Sequence, residues 1–487
     1  MANLEQKHGW SREAASATLG MFLSVSLAAG CAINPVTGER ELALISEEQE
    51  IAMGAEAAAQ VRQSIGLVDD SALQQYVSRV GLALAEDSER PDLPWAFAVV
   101  DDPMPNAFAL PGGYIFVTRG LINLMTSEAE LAAVLGHEIG HVTARHSVQQ
   151  VSRAQIAQLG IGLGAVLSPE IAQFGDLLGS GLQLLFLRYG RDAERQADEL
   201  GFDYALDEGY APGEAADVFR ALLQSSEMAG RSPLPSWLAS HPSEPERIAA
   251  VEERVAGLDS PSSMRRTGRE EYLNMLDGII YGDNPRNGYF DGDWFYHPEL
   301  AFRFAMPESW QRQNLTAAVQ GTTPQQDAAV RLSLVEGDLT GAARQFFAQS
   351  NVAEVASSRE QVNGLPAVVS RFRAQGQSGV VDGFVSHIRH GDSTYRLVGY
   401  TSDARFGAVA ETLEDIVTSF AGVTDREVLN ASPRRVDIVE LPRAMTFAEF
   451  MGRYPSPIPA EELALINQVY EEDDTIPVGT LMKRVAG

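Results

Sequence analysis

The chain has 487 residues, more than one hydrophobic core accommodates, so about two or three domains are expected. Its hydrophobic content of 45% and charged content of 21% are those of a globular protein and exclude a disordered chain. The formal net charge of −29 repels phosphate backbones, which excludes nucleic acid as a partner.

The N-terminal residues have the pattern of a secretory signal. Lys7 and Arg12 precede a mostly apolar run that ends in small residues at Gly30 and Cys31. This pattern resembles a bacterial lipoprotein signal, with residues 1–31 as the signal and lipid attached to Cys31. Under the bacterial sorting rule, alanine rather than aspartate after the cysteine indicates the outer membrane. An ordinary signal, or a short membrane anchor with an incidental cysteine, is the alternative.

The next residues are turn-rich and then become helical. Residues 32–45 include N-P-V-T-G and predict a tether leading away from the membrane. Ser46 and Gln49 form a capping box that predicts the start of a helix. A second helix is expected at 71–85 and a strand at 95–100.

Residues 106–117 read N-A-F-A-L-P-G-G-Y-I-F-V, which predicts a strand, a glycine turn and a second strand. An edge strand here could pair with an extended peptide through backbone hydrogen bonds, and Pro111 suits an edge. A plain core hairpin is the equally weighted alternative. The candidate substrate-binding residues are Asn106, Ala107, Phe108 and Ala109.

The sequence H-E-I-G-H at 137–141 lies in an apolar stretch, after a capping box formed by Ser127 and Glu130. Positions four apart on a helix lie one above the other, so His137 and His141 could bind one Zn²⁺. Glu138 would then lie close enough to handle a proton of the attacking water without being a ligand. A surface helix with two solvated histidines is the alternative, and the small apolar residues around the motif argue against it.

A third ligand is expected from a second helix at about 191–209. Glu194 and Asp198 share one face of that helix with Ala197 and Gly201, whose small side chains allow another helix to approach closely. Glu194 is the predicted third zinc ligand. Asp198 is predicted to accept an imidazole N–H and fix the orientation of the ring. The alternative is that both acids belong to a solvated face.

Two other histidines lie outside the H-E-I-G-H motif. His146 lies about 140° round the helix from His141 and is expected to point elsewhere. His241, in S-H-P-S-E-P-E-R, is a loop histidine that indicates only surface when taken alone. Ala144 and Ser147 stand where a metzincin needs glycine and histidine, which excludes that class.

Five sequences occur in a fixed order: N-P-V-T-G, N-A-F-A-L-P-G-G, H-E-I-G-H, E-R-Q-A-D and S-H-P-S-E-P-E-R. Over approximately residues 34–258, the chain therefore resembles the HtpX-like gluzincin metallopeptidases (metallopeptidase family forty-eight), especially their periplasmic lipoprotein and BepA-like branch. The resemblance implies a peptidase domain at 46–258 with one Zn²⁺ per chain, held in part by Glu194. It also implies that His241 is either a fourth ligand or stabilises the oxyanion, and that Arg247 supports its loop.

The residues after 258 differ from the peptidase region in composition and in predicted secondary structure. Residues 259–285 are polar and predict a linker, and 286–423 alternate between strands and end in a helix, weakly similar to PsbP-like α+β sandwiches. No catalytic pattern appears there, so partner binding is expected. Residues 434–487 resemble a divergent LysM repeat, a module that binds peptidoglycan; a β-α-α-β cap without glycan affinity is the alternative.

The predicted fold class is α+β: a mainly helical gluzincin domain with a small sheet, then a sandwich-like domain and a LysM-like unit. The predicted function is a zinc endopeptidase tethered to a bacterial envelope membrane and facing the periplasm, with Glu138 as general base and then general acid. The resemblance implies misfolded or stalled envelope proteins as substrates. The alternative is an envelope assembly factor or chaperone with a structural or latent zinc site. Three protein ligands and an open position indicate catalysis, whereas four ligands indicate a closed site.

Overall fold

The computed structural model describes residues 31–160, 184, 187–228, 237–242, 245–258, 265–376, 379–470 and 475–487. The predicted signal lies outside the described residues, apart from the backbone of Cys31. Among the helices within these ranges, none combines the length and apolar character needed to cross a bilayer.

The first part of the chain is mainly helical, with a small sheet. Its strands are β1 (Cys31–Ile33), β2 (Arg40–Leu42), β3 (Ala96–Val100), β4 (Ala107–Leu110) and β5 (Tyr114–Thr118). Its helices are α1 (Glu47–Ser64), α2 (Ser71–Glu86), α3 (Arg119–Leu124), α4 (Glu128–Thr143), α5 (His146–Gly160), α6 (Arg191–Asp207), α7 (Glu214–Met228), α8 (Trp237–Ser240), α9 (Pro245–Ala256) and α10 (Arg269–Leu276). Strands β3 and β5 pair in parallel, and β4 pairs antiparallel to β5 at the edge of that sheet.

The helix that carries H-E-I-G-H is α4, and all of its residues are buried. The Ser127 hydroxyl caps it by accepting from the backbone N–H of Glu130. The Glu130 carboxylate reaches back one residue further than a capping box requires and accepts from the backbone and hydroxyl of Thr126. The capped N-terminus of α4 and the burial of all its residues therefore place the motif in the core of the domain.

The predicted tether is instead packed against this domain. Strands β1 and β2 form a hairpin, and Asn34 between them is only 1% exposed. Its side-chain amide donates to the carbonyl of Ala144, just after α4, while its side-chain oxygen accepts from the backbone of Val36 and Thr37. The turn-forming sequence thus closes a hairpin that packs beside the metal-binding region, and a tether role for residues 32–45 stays a prediction.

The predicted linker at 259–285 contains a folded helix. Residues 259–264 lie outside the described ranges, but α10 follows and buries Tyr272, Leu273 and Leu276 completely. The Tyr272 hydroxyl donates to the carbonyl of Ile122. Polar residues on the outer face of α10 gave this segment the composition of a linker, although its inner face belongs to the core.

The last residues form a strand–helix–helix–strand unit. Its elements are β17 (Arg435–Glu440), β18 (Met445–Thr446), α14 (Phe447–Arg453), α15 (Ala460–Asn467), β19 (Thr475–Ile476) and β20 (Leu481–Ala486), with β17 antiparallel to β20. Phe447, Phe450 and Met482 belong to the same hydrophobic core as Leu131 of α4. This unit is therefore an integral part of the helical domain rather than a separate module. Its affinity for glycan stays a prediction.

Residues 285–429 build a second body with cores of its own. Its strands are β6 (Tyr289–Asp291), β7 (Trp294–His297), β8 (Phe302–Ala305), β9 (Gln311–Leu315), β10 (Ala318–Thr322), β11 (Ala328–Val335), β12 (Val352–Val362), β13 (Leu365–Gly376), β14 (Gly379–His390), β15 (Ser393–Ser402) and β16 (Ala421–Gly422). Its helices are α11 (Leu339–Phe347), α12 (Asp403–Val417) and α13 (Arg426–Leu429), with a short 3₁₀ turn at Pro285–Asn287.

The larger sheet of this body has seven antiparallel strands in the order β12-β13-β14-β15-β11-β10-β9, and a four-stranded sheet has the order β16-β8-β7-β6. One core joins the two sheets and α12, and a smaller one lies between α11 and the other face of the large sheet. The α+β class predicted for the chain is confirmed.

Candidate metal centre

Three imidazoles and one carboxylate converge inside the helical domain. His137 and His141 come from α4, Glu194 from α6, and His241 from the residue that follows α8. Each of these side chains is at most 2% exposed. Their nearest ligand atoms all lie within 4.8 Å of one another, so the cluster could hold one metal ion.

The separations between these atoms test that fit. Nε2 of His137 lies 3.0 Å from Nε2 of His141 and 3.2 Å from Nδ1 of His241. The Glu194 carboxylate lies 3.1 Å from Nδ1 of His241 and 3.5 Å from Nε2 of both His137 and His141. Donors about 2.0–2.1 Å from a tetrahedral ion stand roughly 3.3 Å apart. The five separations of 3.0–3.5 Å therefore suit one tetrahedral ion.

Small residues at the helix crossing make this convergence possible. A Cβ added at Gly201 of α6 would lie 2.6 Å from the backbone N of His137, and one at Gly136 of α4 would lie 2.9 Å from the Gly201 carbonyl oxygen. Any larger side chain at either position would push the helices apart. Glycine here therefore sets how far Glu194 reaches toward the two histidines.

Asp198 and Arg247 hold the His137 ring in place. Nδ1 of His137 lies 2.8 Å from the Asp198 carboxylate, and Arg247 donates to both oxygens of that carboxylate at 2.6 Å. Burial raises the pKa of Asp198, but His137 and Arg247 outweigh burial and bring the pKa to about 2. An ionised Asp198 fixes the His137 proton on Nδ1, which leaves the Nε2 lone pair for a metal.

Arg247 also pairs with Glu194 at 3.2 Å, and His241 lies beside the same carboxylate. Burial raises the pKa of Glu194, yet His241, His137 and Arg247 together lower it below its usual value. The ligand carboxylate is therefore ionised, as metal binding requires.

Glu138 lies next to the cluster without joining it. One of its carboxylate oxygens is 3.5 Å from Nε2 of His241, and both lack a hydrogen-bond partner among the described residues. Burial raises the pKa of Glu138 against the opposing effects of His241 and His137. A buried carboxylate whose pKa is raised, beside a metal site, suits a group that accepts and returns a proton.

His146 lies closer to the cluster than a continuous helix would place it, although it is not one of the four donors. Its Nδ1 lies 2.9 Å from Nδ1 of His141, and its Nε2 lies 3.0 Å from the side-chain oxygen of Gln196. Helix α4 ends before Arg145, which takes a left-handed φ of 58°, and the chain then turns back into α5. The helical angle assumed for His146 does not apply across that break.

Two aromatic residues complete the walls. Tyr189 stacks on His141 with ring centroids 4.0 Å apart, and Trp237 stacks on His241 at 4.3 Å. Neither residue could be identified from the sequence, because neither belongs to a motif with a fixed spacing from the histidines.

The candidate substrate-binding residues lie on or next to β4. Asn106, Ala107, Phe108 and Ala109 are all buried, and β4 packs against α4. The backbone N–H of Trp237 donates to the carbonyl of Pro105, so the short helix that precedes His241 lies against the approach to this strand. Peptide binding at this edge stays a prediction.

Comparison with known proteins agrees with this geometry. Residues 71–255 match the sequence profile of Peptidase family M48. The chain is 32% identical over 225 residues to "Mitochondrial metalloendopeptidase OMA1" of Schizosaccharomyces pombe, covering 45% of this chain and 65% of that protein. It is 30% identical over 230 residues to "Beta-barrel assembly-enhancing protease" of Yersinia pestis, covering 45% of this chain and 47% of that protein.

The aligned regions therefore span between about half and two thirds of these relatives. The solution structure of cyanobacterial PsbP from Synechocystis aligns with a TM-score of 0.24 and 12% identity, over 26% of this chain and 91% of that one. The four metal donors and Glu138 lie inside the matched residues 71–255.

Proposed function

We propose that this chain, whose residues 71–255 form a peptidase domain of family M48, is a zinc-dependent endopeptidase. One observation carries the proposal: His137, His141 and Glu194 present donor atoms at tetrahedral separations beside Glu138, a carboxylate that is not itself a donor. A purely structural metal site has no need of such a neighbour.

The residues around the site have separable roles in peptide hydrolysis. A zinc ion held by His137, His141 and Glu194 would polarise the peptide carbonyl and lower the pKa of the attacking water. Glu138 takes the proton from that water and returns it to the leaving amine, a role that suits a carboxylate whose pKa is raised by burial. Asp198 and Arg247 keep the ligand set oriented throughout.

His241 favours a second candidate function. Its Nδ1 completes a four-donor set, which is the arrangement of a structural or latent site. An envelope assembly factor or chaperone with a latent zinc site would have this geometry. In the endopeptidase, His241 instead either closes the resting site or stabilises the tetrahedral oxyanion once substrate has entered.

We extend the proposal to the setting of the enzyme. A lipid on Cys31 would tether it to the outer membrane on the periplasmic side, and misfolded or stalled envelope proteins would be its substrates. The signal-like N-terminal sequence supports the tether. Similarity to a Yersinia pestis protease named for β-barrel assembly supports the choice of substrates.

Replacing Glu138 by glutamine tests the hydrolytic role. We expect zinc-loaded Glu138→Gln to cleave unfolded casein about 10²–10⁴-fold more slowly than the parent chain, because its amide cannot exchange the proton. Zinc content, measured by atomic absorption, should not change. Glu199→Gln is the matched control, since Glu199 is exposed on α6 and its loss should leave the rate unaltered.

Equal casein cleavage by Glu138→Gln and the parent chain would refute this mechanism. A parent chain that holds one zinc ion yet cleaves no casein would favour the assembly factor. His241→Ala then separates the two roles of His241: faster cleavage indicates closure of the resting site, and slower cleavage indicates oxyanion stabilisation.

A further inference from the structure

A second group of polar side chains lies far from the peptidase motifs, on the seven-stranded sheet. Arg396 of β15 is directly opposite His387 of β14 and opposite Ser333 of β11. Side chains that are opposite on antiparallel strands share a face, as do residues two apart on one strand. Arg331, two residues before Ser333, therefore projects from the same face as Arg396 and His387.

The two arginines have no acidic partner. Both are half-buried, and neither has an ion pair or a hydrogen bond among the described residues; Arg396 only covers the Phe346 ring at 5.7 Å. Burial lowers the pKa of Arg396, and the charged neighbour that lowers it further is Arg331. On β13 of the same sheet, by contrast, Arg371 and Arg373 pair with Asp382 at 3.4 and 2.8 Å.

Two arginines without an acidic partner are unexpected in a chain this acidic. The chain has 66 acidic residues against 37 basic ones, so carboxylates well outnumber the cations that they could pair with. Two adjacent guanidinium groups that repel each other destabilise the sheet unless an anion neutralises them. The pair therefore indicates a ligand that carries negative charge.

A neighbouring buried group indicates where that ligand would bind. His387 is fully buried, and neither of its ring nitrogens has a hydrogen-bond partner among the described residues. Buried polar groups are normally paired, so an orphaned imidazole beside two unpaired cations points to one missing partner.

We propose that Arg331, Arg396 and His387 form a binding site for a phosphate group. Two guanidinium groups on neighbouring strands can each donate two parallel N–H bonds to a tetrahedral oxyanion, and the buried imidazole adds one more. The same chemistry is presented by a free phosphate or phosphomonoester and by the headgroup of an anionic phospholipid. The site belongs to the second body and does not depend on the peptidase assignment.

Titration of the full chain with inorganic phosphate tests the proposal. At constant ionic strength, calorimetry should show saturable binding of one phosphate per chain, and the ¹⁵N resonances of His387 should shift with the same midpoint. Arg331→Gln and Arg396→Gln should each weaken binding roughly ten- to hundredfold. Arg405→Gln is the control, because Arg405 already pairs with Asp327 at 2.8 Å and lies outside the group.

A second arm distinguishes the source of the phosphate. Vesicles of phosphatidylglycerol are compared with vesicles of phosphatidylcholine, using the same variants in a flotation assay. Binding to phosphatidylglycerol alone, lost in Arg331→Gln and Arg396→Gln, identifies a lipid headgroup. Saturable binding of inorganic phosphate with the same dependence identifies a soluble ligand.

Melting curves by circular dichroism show which variants fold. Arg396→Lys keeps the charge but not the planar fork, so intermediate binding by this variant supports the proposed geometry, and it replaces Arg396→Gln if the glutamine variant is unfolded. The proposal is wrong if neither probe binds the parent chain. It is also wrong if folded Arg331→Gln binds as tightly as Arg405→Gln.

Discussion

The metal centre and the phosphate site proposed on the large sheet are both built from cationic or metal-binding side chains, but only the first is internally compensated. Around the metal, Arg247 faces Asp198 and Glu194, and His137 faces Asp198. On the sheet, Arg331 and Arg396 face each other. The charges around the metal are neutralised by ion pairs within the cluster. The two arginines on the sheet would instead be neutralised by a bound anion.

The two bodies also differ in how their cores are connected. The core around α4 extends through α10 into the C-terminal strand–helix–helix–strand unit, so residues more than 300 positions apart pack together. The second body has separate cores between its sheets and helices. A change at the metal centre should therefore alter the stability of the C-terminal unit and leave that of the large sheet unchanged.

Removal of the metal should give the largest difference in stability between the two bodies. A ligand present at 100 to 1,000 times its dissociation constant stabilises the fold that binds it by about 3–4 kcal/mol. We expect a chelator to lower the free energy of opening by this amount for amides of α4 and α15, and to leave β14 unchanged. Hydrogen exchange followed by mass spectrometry measures all three segments in one sample.

A His141→Ala variant is the control for this measurement, because the chelator should no longer change its α4 protection. Equal loss of protection in α4 and β14 would show that the two bodies unfold as one unit, which contradicts the separation of their cores.

The next largest changes in stability are expected from two glycine replacements, one in each body. Gly201→Ala places a Cβ 2.6 Å from the His137 backbone and should cost about 1–3 kcal/mol of stability while weakening metal affinity. Gly407→Ala in α12 meets nothing within 4 Å and should stabilise by about 0.5–1 kcal/mol. Urea unfolding and a competition assay for zinc measure both variants.

If Gly201→Ala were as stable as the parent chain, α4 and α6 would not be in backbone contact, and the reach of Glu194 would need another explanation. Unchanged zinc affinity in a destabilised Gly201→Ala would separate the packing of the helices from the geometry of the site.

Periodicity explains why so much of the metal centre could be predicted. His137 and His141 are four residues apart on one helix, and the caps and apolar run that define that helix are local in sequence. Glu194 and Asp198 could be placed on one face by the same rule. The position of His241 came only from the family resemblance, since nothing local in a Ser-His-Pro loop specifies which cavity its ring enters.

The group on the sheet could not have been predicted in this way. Arg331 and Arg396 are 65 positions apart and meet only because β11 pairs with β15 in one register. A shift of one residue would send Arg396 to the opposite face. For the same reason, the packing of the C-terminal unit against α4 was missed, because it depends on contacts between residues distant in the chain.

The smallest expected effect, taken over one pH unit above neutrality, tests that packing through Lys483 of β20. Its buried ammonium donates to the carbonyls of Asn123 and Met125, and burial lowers its pKa from 10.5 to about 7. The unfolded chain therefore holds this proton up to higher pH than the folded chain, so stability should rise between about pH 7 and pH 10. The gain between about pH 7 and pH 8 is about 1 kcal/mol, because a shift of one pKa unit corresponds to about 1.4 kcal/mol.

Lys483→Met removes this titration while keeping the length of the side chain. We expect the free energy of unfolding of the parent chain to rise with pH relative to the variant, because only the parent has an amine that loses its proton on folding. The same slope in both proteins would mean that Lys483 is exposed to water in solution. The C-terminal unit would then be a loosely attached module, and the shared core would not hold it against the metal-binding helix.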